Sequence, residues 1–192
     1  MMLADELLLL TLSPAEGRNM RNHRGIRAAV CGADLLDQWL IGGPLPGNVR
    51  RHIDKNNYGT LEPVLGRLAA AGRISTSAPQ RGARYDTLHD VGTAAAIRGR
   101  LQAALAGSVL PSARDAALAV VVYEGRLWNH AALEARSTPE DVIIFGRRQP
   151  AATPLKACAQ ALAEGRPLVD HAQPDALTEI AKAMDWVYRR SD

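Results

Sequence analysis

Arg18, Arg21, Arg24 and Arg27 recur at every third residue, with His23 among them. A guanidinium presents a planar fork of N–H donors that matches phosphate and carboxylate oxygens. A regular row of such groups suits charge-assisted hydrogen bonding to a phosphate-bearing partner. Arg50 and Arg51, followed by His52, form a second basic cluster and are expected to supply a second contact to the same ligand. Spaced arginines also describe a solvated face or a flexible arm, so the pattern by itself supports both readings. No glycine-rich phosphate loop, GxSxG, HExxH or paired CxxC occurs. Catalytic residues are therefore left unassigned, enzyme activity is left open, and no metal or cofactor is expected.

The elements that must position these groups begin with a greasy segment. Leu7, Leu8, Leu9, Leu10 and Leu12 cover every side of a helical turn, which predicts an element inside a core rather than on it. Ser13-Pro14-Ala15-Glu16 has the form of a capping box with Pro at the first helical position, and Gly17 can stop it, so a single helical turn is expected to feed the arginine row. The next helix is predicted over 26–41, with Ile26, Val30, Ala33, Leu36 and Leu40 inward and Asp34 and Asp37 sharing a face. Gly42-Gly43-Pro44-Leu45-Pro46-Gly47 ends it. Two further helices are expected, a short one over 48–56 and one over 61–71. Pro63 is tolerable there only because it falls in the first turn of the second.

A small hairpin over 73–77 and 84–88 comes next. Asp90 is expected to cap a helix over 91–106, and Ser112 with Asp115 to start another through Tyr123 that is apolar on all sides and central. Short helices are expected from Thr138 and from Pro154, the second burying Cys158, and a final helix over 174–188 carries Leu177, Ile180, Ala181, Met184 and Val187 at helical spacing.

The totals agree with this outline. A chain of 192 residues fits one domain, 1–192, with a core that needs neither disulfide nor metal. Aromatics are only 4%, so the core must be Leu, Ala, Val and Ile, which favours helix. The fold class expected is mainly α: a single helical globule with central hydrophobic helices and one small β-hairpin. A formal net charge of +3 permits an anionic partner without demanding one. Cys31 and Cys158 lack ligand spacing and read as buried thiols in a reducing compartment. The opening run has Asp5 and Glu6 within it and no basic segment before it, so it is not expected to be a signal peptide, and it is too short to span a bilayer. The expected location is cytoplasmic, or peripheral to the inner face of the membrane.

Leu3-Ala4-Asp5-Glu6-Leu7-Leu8-Leu9-Leu10, followed by Glu16-Gly17-Arg18, resembles the start of the Golgi phosphoprotein 3-like family. Cys31-Gly32-Ala33-Asp34-Leu35-Leu36 is similar to that family's small-residue helix after the first loop, and the run from Leu65 through Gly72 to Ile74 is similar to a later helix ending in Gly before a short strand. The short, Arg-rich chain points to a bacterial member. The resemblance implies a mostly helical globule with hydrophobic helices at its centre. For eukaryotic members it also implies docking on Golgi membranes through phosphatidylinositol 4-phosphate and binding of glycosyltransferase tails. The family's lipid pocket is not carried over residue by residue. Its loop Trp falls near Asn22 and His23. Its next Arg falls on Cys31 in a gapless reading, or on Arg27 with an insertion of one turn. Its two later arginines fall roughly on Tyr58 and Leu61. Arg21, Arg24 and Arg27 could replace that site. The segment between Ile41 and Asn48 is shorter than the family's, which removes a hairpin used for self-association.

The function expected on these grounds is non-catalytic binding of an anionic lipid or phosphorylated small molecule at a membrane surface, through Arg18, Arg21, Arg24, Arg27, Arg50 and Arg51. Leu or Met side chains of the arm would dip toward acyl chains. Two alternatives stay open. One is an enzyme acting on an isoprenoid-like phosphate in a helical pocket, with Asp34 and Asp37 facing Mg²⁺. The other is winged-helix nucleic-acid binding, against which stands a reading helix whose only charges are Glu62 and Arg67. The oligomeric state is not determined by the sequence.

Overall fold

The computed structural model describes residues 1–15, 17–77, 84–105, 112–125, 127, 179–180, 182–184 and 186. Helix α1 (Leu3–Thr11) has no exposed face: all of its residues are buried, and Leu7 to Leu10 have no accessible surface. Each such leucine contributes about 1.5–3 kcal/mol of transfer free energy, which outweighs what a nine-residue helix could gain from propensity alone. Its two acidic residues, Asp5 and Glu6, sit in the first turn, where the helix dipole favours negative charge. Pro14, three residues beyond the last helical position, forbids its continuation.

Around α1 pack α2 (Arg24–Leu40), α3 (Val49–Ala70), α4 (Val91–Leu105) and α5 (Ala113–Glu124). The inward residues expected for the second helix, Ile26, Val30, Ala33 and Leu36, are all buried, and Leu40 packs against the core. Asp90 caps α4 by accepting from the Thr93 N–H at 3.0 Å. Ser112 and Asp115 form the expected reciprocal cap at the start of α5, where the Asp115 N–H donates to Ser112 Oγ at 3.0 Å and that hydroxyl donates to Asp115 Oδ2 at 2.7 Å. Residues 117–122 of α5 are buried, as befits a central helix. Strands β1 (Ile74–Thr76) and β2 (Asp86–Leu88) make the small antiparallel hairpin, with Ile74 opposite Leu88. The fold is mainly helical with this one two-stranded sheet among the described residues.

Glycine does specific work at two helix ends. Gly42 has φ +86° and its N–H donates to the Trp39 carbonyl at 3.0 Å, while the Gly43 N–H donates to the Gln38 carbonyl at 2.8 Å. Gly72, at φ +67°, repeats the pattern with Ala69, and the Arg73 N–H reaches the Leu68 carbonyl. Both are Schellman terminations, in which the left-handed residue is nearly always glycine.

Two expectations are corrected. The stretch from Ser13 is a bend and not a helical turn: Ser13 Oγ accepts from the Ala15 N–H, the Ser13 carbonyl accepts from the Leu88 N–H, and Arg18 pairs antiparallel with Asp86. Backbone groups spent on the hairpin's edge cannot serve a helix, and the single turn comes later, as a 3₁₀ turn at Met20–Asn22. The helices expected over 48–56 and 61–71 are one helix, α3, with Pro63 in its interior. An interior proline costs about 3 kcal/mol. The continuous buried stripe of Ile53, Asn57, Leu61, Val64, Leu65 and Leu68 offsets that cost.

The segments expected to be helical from Thr138 and Pro154, together with Trp128, His130 and Cys158, lie outside the described residues. Of the final helix, residues 179, 180, 182–184 and 186 are helical, and Ile180 and Met184 join the core. They pack on Gly32 of α2, where any Cβ would collide with the Met184 side chain.

Candidate functional site

The contacts between α2 and α3 advance together along both helices. Arg24 reaches Asp54 at 3.2 Å, Arg27 reaches Asn57 at 3.2 Å, and the Cys31 thiol meets the Thr60 side chain. The two helices therefore run in the same sense. The connection over 41–48 must carry the chain back along α2, whose 17 residues rise about 25 Å. The parallel course brings the amino ends of α2 and α3 to one end of the molecule, together with the arm that precedes α2. Neither helix has an acidic residue in its first turn; His23 caps the start of α2 and Asn48 that of α3.

The six arginines expected at the site share this end of the chain's path, but they do not form one row. Arg18 lies on the β-bridge with Asp86, Arg21 belongs to the 3₁₀ turn, and Arg24 and Arg27 start α2. The regular spacing would align them only on a continuous helix, and the chain from 18 to 23 is not one. The side chain of Arg21 lies outside the described residues. Arg24 makes a half-exposed ion pair with Asp54. Arg27 is only 5% exposed: its Nε donates to Asn57 Oδ1, and its guanidinium stacks 3.8 Å over the Tyr58 ring. Burial pulls the Arg27 pKa down from the usual arginine value, and Tyr58 opposes this. Asn57 in turn donates to the Ile53 and Asp54 carbonyls, which fixes its oxygen toward Arg27.

Arg50 and Arg51 are exposed in the first turn of α3, which Asn48 caps by accepting from the Arg51 N–H at 2.8 Å. The Arg50 guanidinium lies 3.3 Å over the Trp186 ring. Arg50 stands one turn before Asp54, so it shares a side of α3 with the residue that Arg24 engages. His23 caps α2, its Nδ1 accepting from the Ile26 N–H at 3.3 Å. That cap needs an unprotonated Nδ1. Burial, and then the charges of Arg18 and Arg27, lower the His23 pKa from its ordinary 6.5 and keep it so.

The expectation that a Met or Leu of the arm dips toward acyl chains is corrected: Met20 has no accessible surface and Leu12 is 4% exposed, because both complete the core around α1. Tyr58, 65% exposed, stands at this end beside Arg27. Asn57, Tyr58 and Trp186 were not singled out from the sequence. A usable signal was the scarcity of aromatics, three Trp, four Tyr and one Phe, in a chain with twenty arginines; aromatic faces are where arginine stacks.

The paired carboxylates Asp34 and Asp37 have different partners. Asp34 accepts from Gln38 Nε2 at 2.9 Å, whereas Asp37 accepts from the Leu3 N–H and from Arg114 at 3.1 Å. Among the described residues no group of three or more potential metal ligands comes together. Asp37 belongs to a second charged cluster at the amino end of α1. There Glu6 binds Arg100 and Arg114, Asp5 binds Arg67, Asp115 binds Arg100, and the Met1 carbonyl accepts from Arg114. Burial raises the Asp37 pKa, and the Leu3 N–H and Arg114 hold that rise in check. No helix among the described residues is long and apolar enough to cross a membrane.

The chain matches no known family of proteins, no curated protein and no solved structure.

Proposed function

We propose that the end of the molecule formed by residues 18–27 and the first turn of α3 binds a phosphate-bearing ligand, an anionic lipid headgroup at a membrane surface, without catalysis. The observation that carries this reading is the parallel course of α2 and α3. It gathers two helix amino ends, with no acidic residue in either first turn, with Arg18, Arg24, Arg50 and Arg51. Phosphate is stabilised at such ends by the dipole and by charge-assisted hydrogen bonds. Tyr58, exposed beside Arg27, adds an amphipathic ring of the kind that settles at a lipid headgroup layer. The resemblance to Golgi phosphoprotein 3-like proteins is in keeping with it. With one inserted turn the resemblance places an arginine of the family's lipid pocket at Arg27, whereas a later one falls roughly on Tyr58 and is not kept.

The test is co-sedimentation of the full chain with phosphatidylcholine vesicles, neutral or doped with phosphatidylserine or a phosphoinositide. Retention is expected on doped vesicles alone, weakening as salt is raised. Arg50→Ala with Arg51→Ala, both exposed, should lower it by about fivefold per residue without loss of helix content. Retention that ignores both lipid charge and these substitutions would overturn the proposal. Competition by soluble inositol phosphates at low salt would move the ligand from a lipid to a small molecule.

A further inference from the structure

We propose that Trp186 is the platform that aims Arg50 at the ligand's phosphate oxygens, so that the C-terminal helical segment is part of the binding site; this rests on the anion-binding reading above. A guanidinium stacked on an aromatic face keeps its N–H donors in its own plane, directed past the edge of the ring. Arg50 is held in this way, 3.3 Å over the indole. Its donors are not taken by any carboxylate among the described residues, whereas Arg24 is paired with Asp54 and Arg27 with Asn57.

The platform itself is anchored independently of Arg50. Ile180, Ala183 and Met184 of the same segment are buried, and the absence of a Cβ at Gly32 lets Met184 and Ile180 sit directly on α2. Trp186 is thereby placed by core packing, and Arg50 is placed by Trp186. A long side chain on an exposed helix start would otherwise give up much of its rotamer freedom on binding. Pre-stacking removes part of that cost before the ligand arrives.

The experiment is a double-mutant cycle read by retention of the full chain on phosphatidylserine-doped vesicles. Trp186→Ala should weaken retention roughly two- to fivefold, the range of an exposed cation–π contact. Trp186→Phe should keep most of it, and Arg50→Lys, which retains charge but not the planar stack, should lose it as Trp186→Ala does. In an Arg50→Ala background Trp186→Ala should change nothing further. A Trp186→Ala loss of equal size in both backgrounds would overturn the platform while leaving the anion reading intact, as would full retention by Trp186→Ala. Failure of the unmodified chain to bind any anionic vesicle would instead remove the anion reading, and the platform with it.

Discussion

Two ends of this molecule are rich in arginine, and they use it in opposite ways. At the amino end of α1, Arg67, Arg100 and Arg114 face Asp5, Glu6, Asp37 and Asp115. Three cations there meet four carboxylates, two of which, Asp5 and Glu6, lie on the helix that forms the centre of the core. At the other end Arg24 pairs with Asp54, and Arg27 and Arg50 stack on aromatic rings. The first arrangement is spent within the fold, since a buried carboxylate requires its partner. The second leaves Arg50 and Arg51 exposed, while Arg27 is buried. Residue type is the same in both. Among the described residues the two ends differ in what their arginines meet: carboxylates at the first, and Asp54, Asn57 and two aromatic rings at the second.

The comparison can be broken most forcefully at the first end. Arg114→Ala leaves Glu6 and Asp37 with a lost partner in largely buried surroundings, and is expected to cost about 3 kcal/mol of stability, read as a lower urea midpoint. Combining it with Glu6→Gln and Asp37→Asn should recover part of that loss. A midpoint unchanged by Arg114→Ala would mean that the cluster is ornamental. At the second end Arg27→Ala leaves the buried Asn57 oxygen without its donor, for an expected loss of about 1–3 kcal/mol. Arg27→Lys should restore little of it, because an ammonium cannot stack flat on Tyr58.

A smaller effect, near 1 kcal/mol, is expected from the cap at His23. Since His23 binds its proton more weakly in the folded chain, its contribution is present above its ordinary pKa of 6.5. It is lost as pH falls from there through the lower folded value. His23→Asn keeps a capping oxygen and should flatten that part of the stability profile in thermal melts between neutral and mildly acid pH. The smallest effect on stability belongs to Arg50→Ala, under about 1 kcal/mol. If it proved as costly as Arg114→Ala, the contrast between the two ends would collapse.

Much of the fold could be read along the chain because its signals are local. Leucine on all sides of α1, the caps at Asp90 and Ser112, the glycine stops at 42 and 72, and the hairpin each depend on residues within a few positions of one another. The misreadings came where a distant segment competes for the same backbone. Ser13 and Arg18 bond to the second strand of the hairpin, and α3 runs through Pro63 because the core supplies a stripe for it to bury. The arginines show the same division. Their periodicity marks the stretch, yet it could not tell that Arg27 is buried, that Arg24 meets Asp54, or that Arg50 lies over Trp186, 136 positions away.

By itself, then, the sequence determined a mainly helical, leucine-centred chain with an arginine-rich segment entering its second helix, because composition, periodicity and caps act within a turn or two. Only the tertiary structure decided which arginines are internal and which face outward. That depends on α2 and α3 running parallel, on the return over 41–48, and on C-terminal residues packing on Gly32, contacts whose partners lie far apart along the chain.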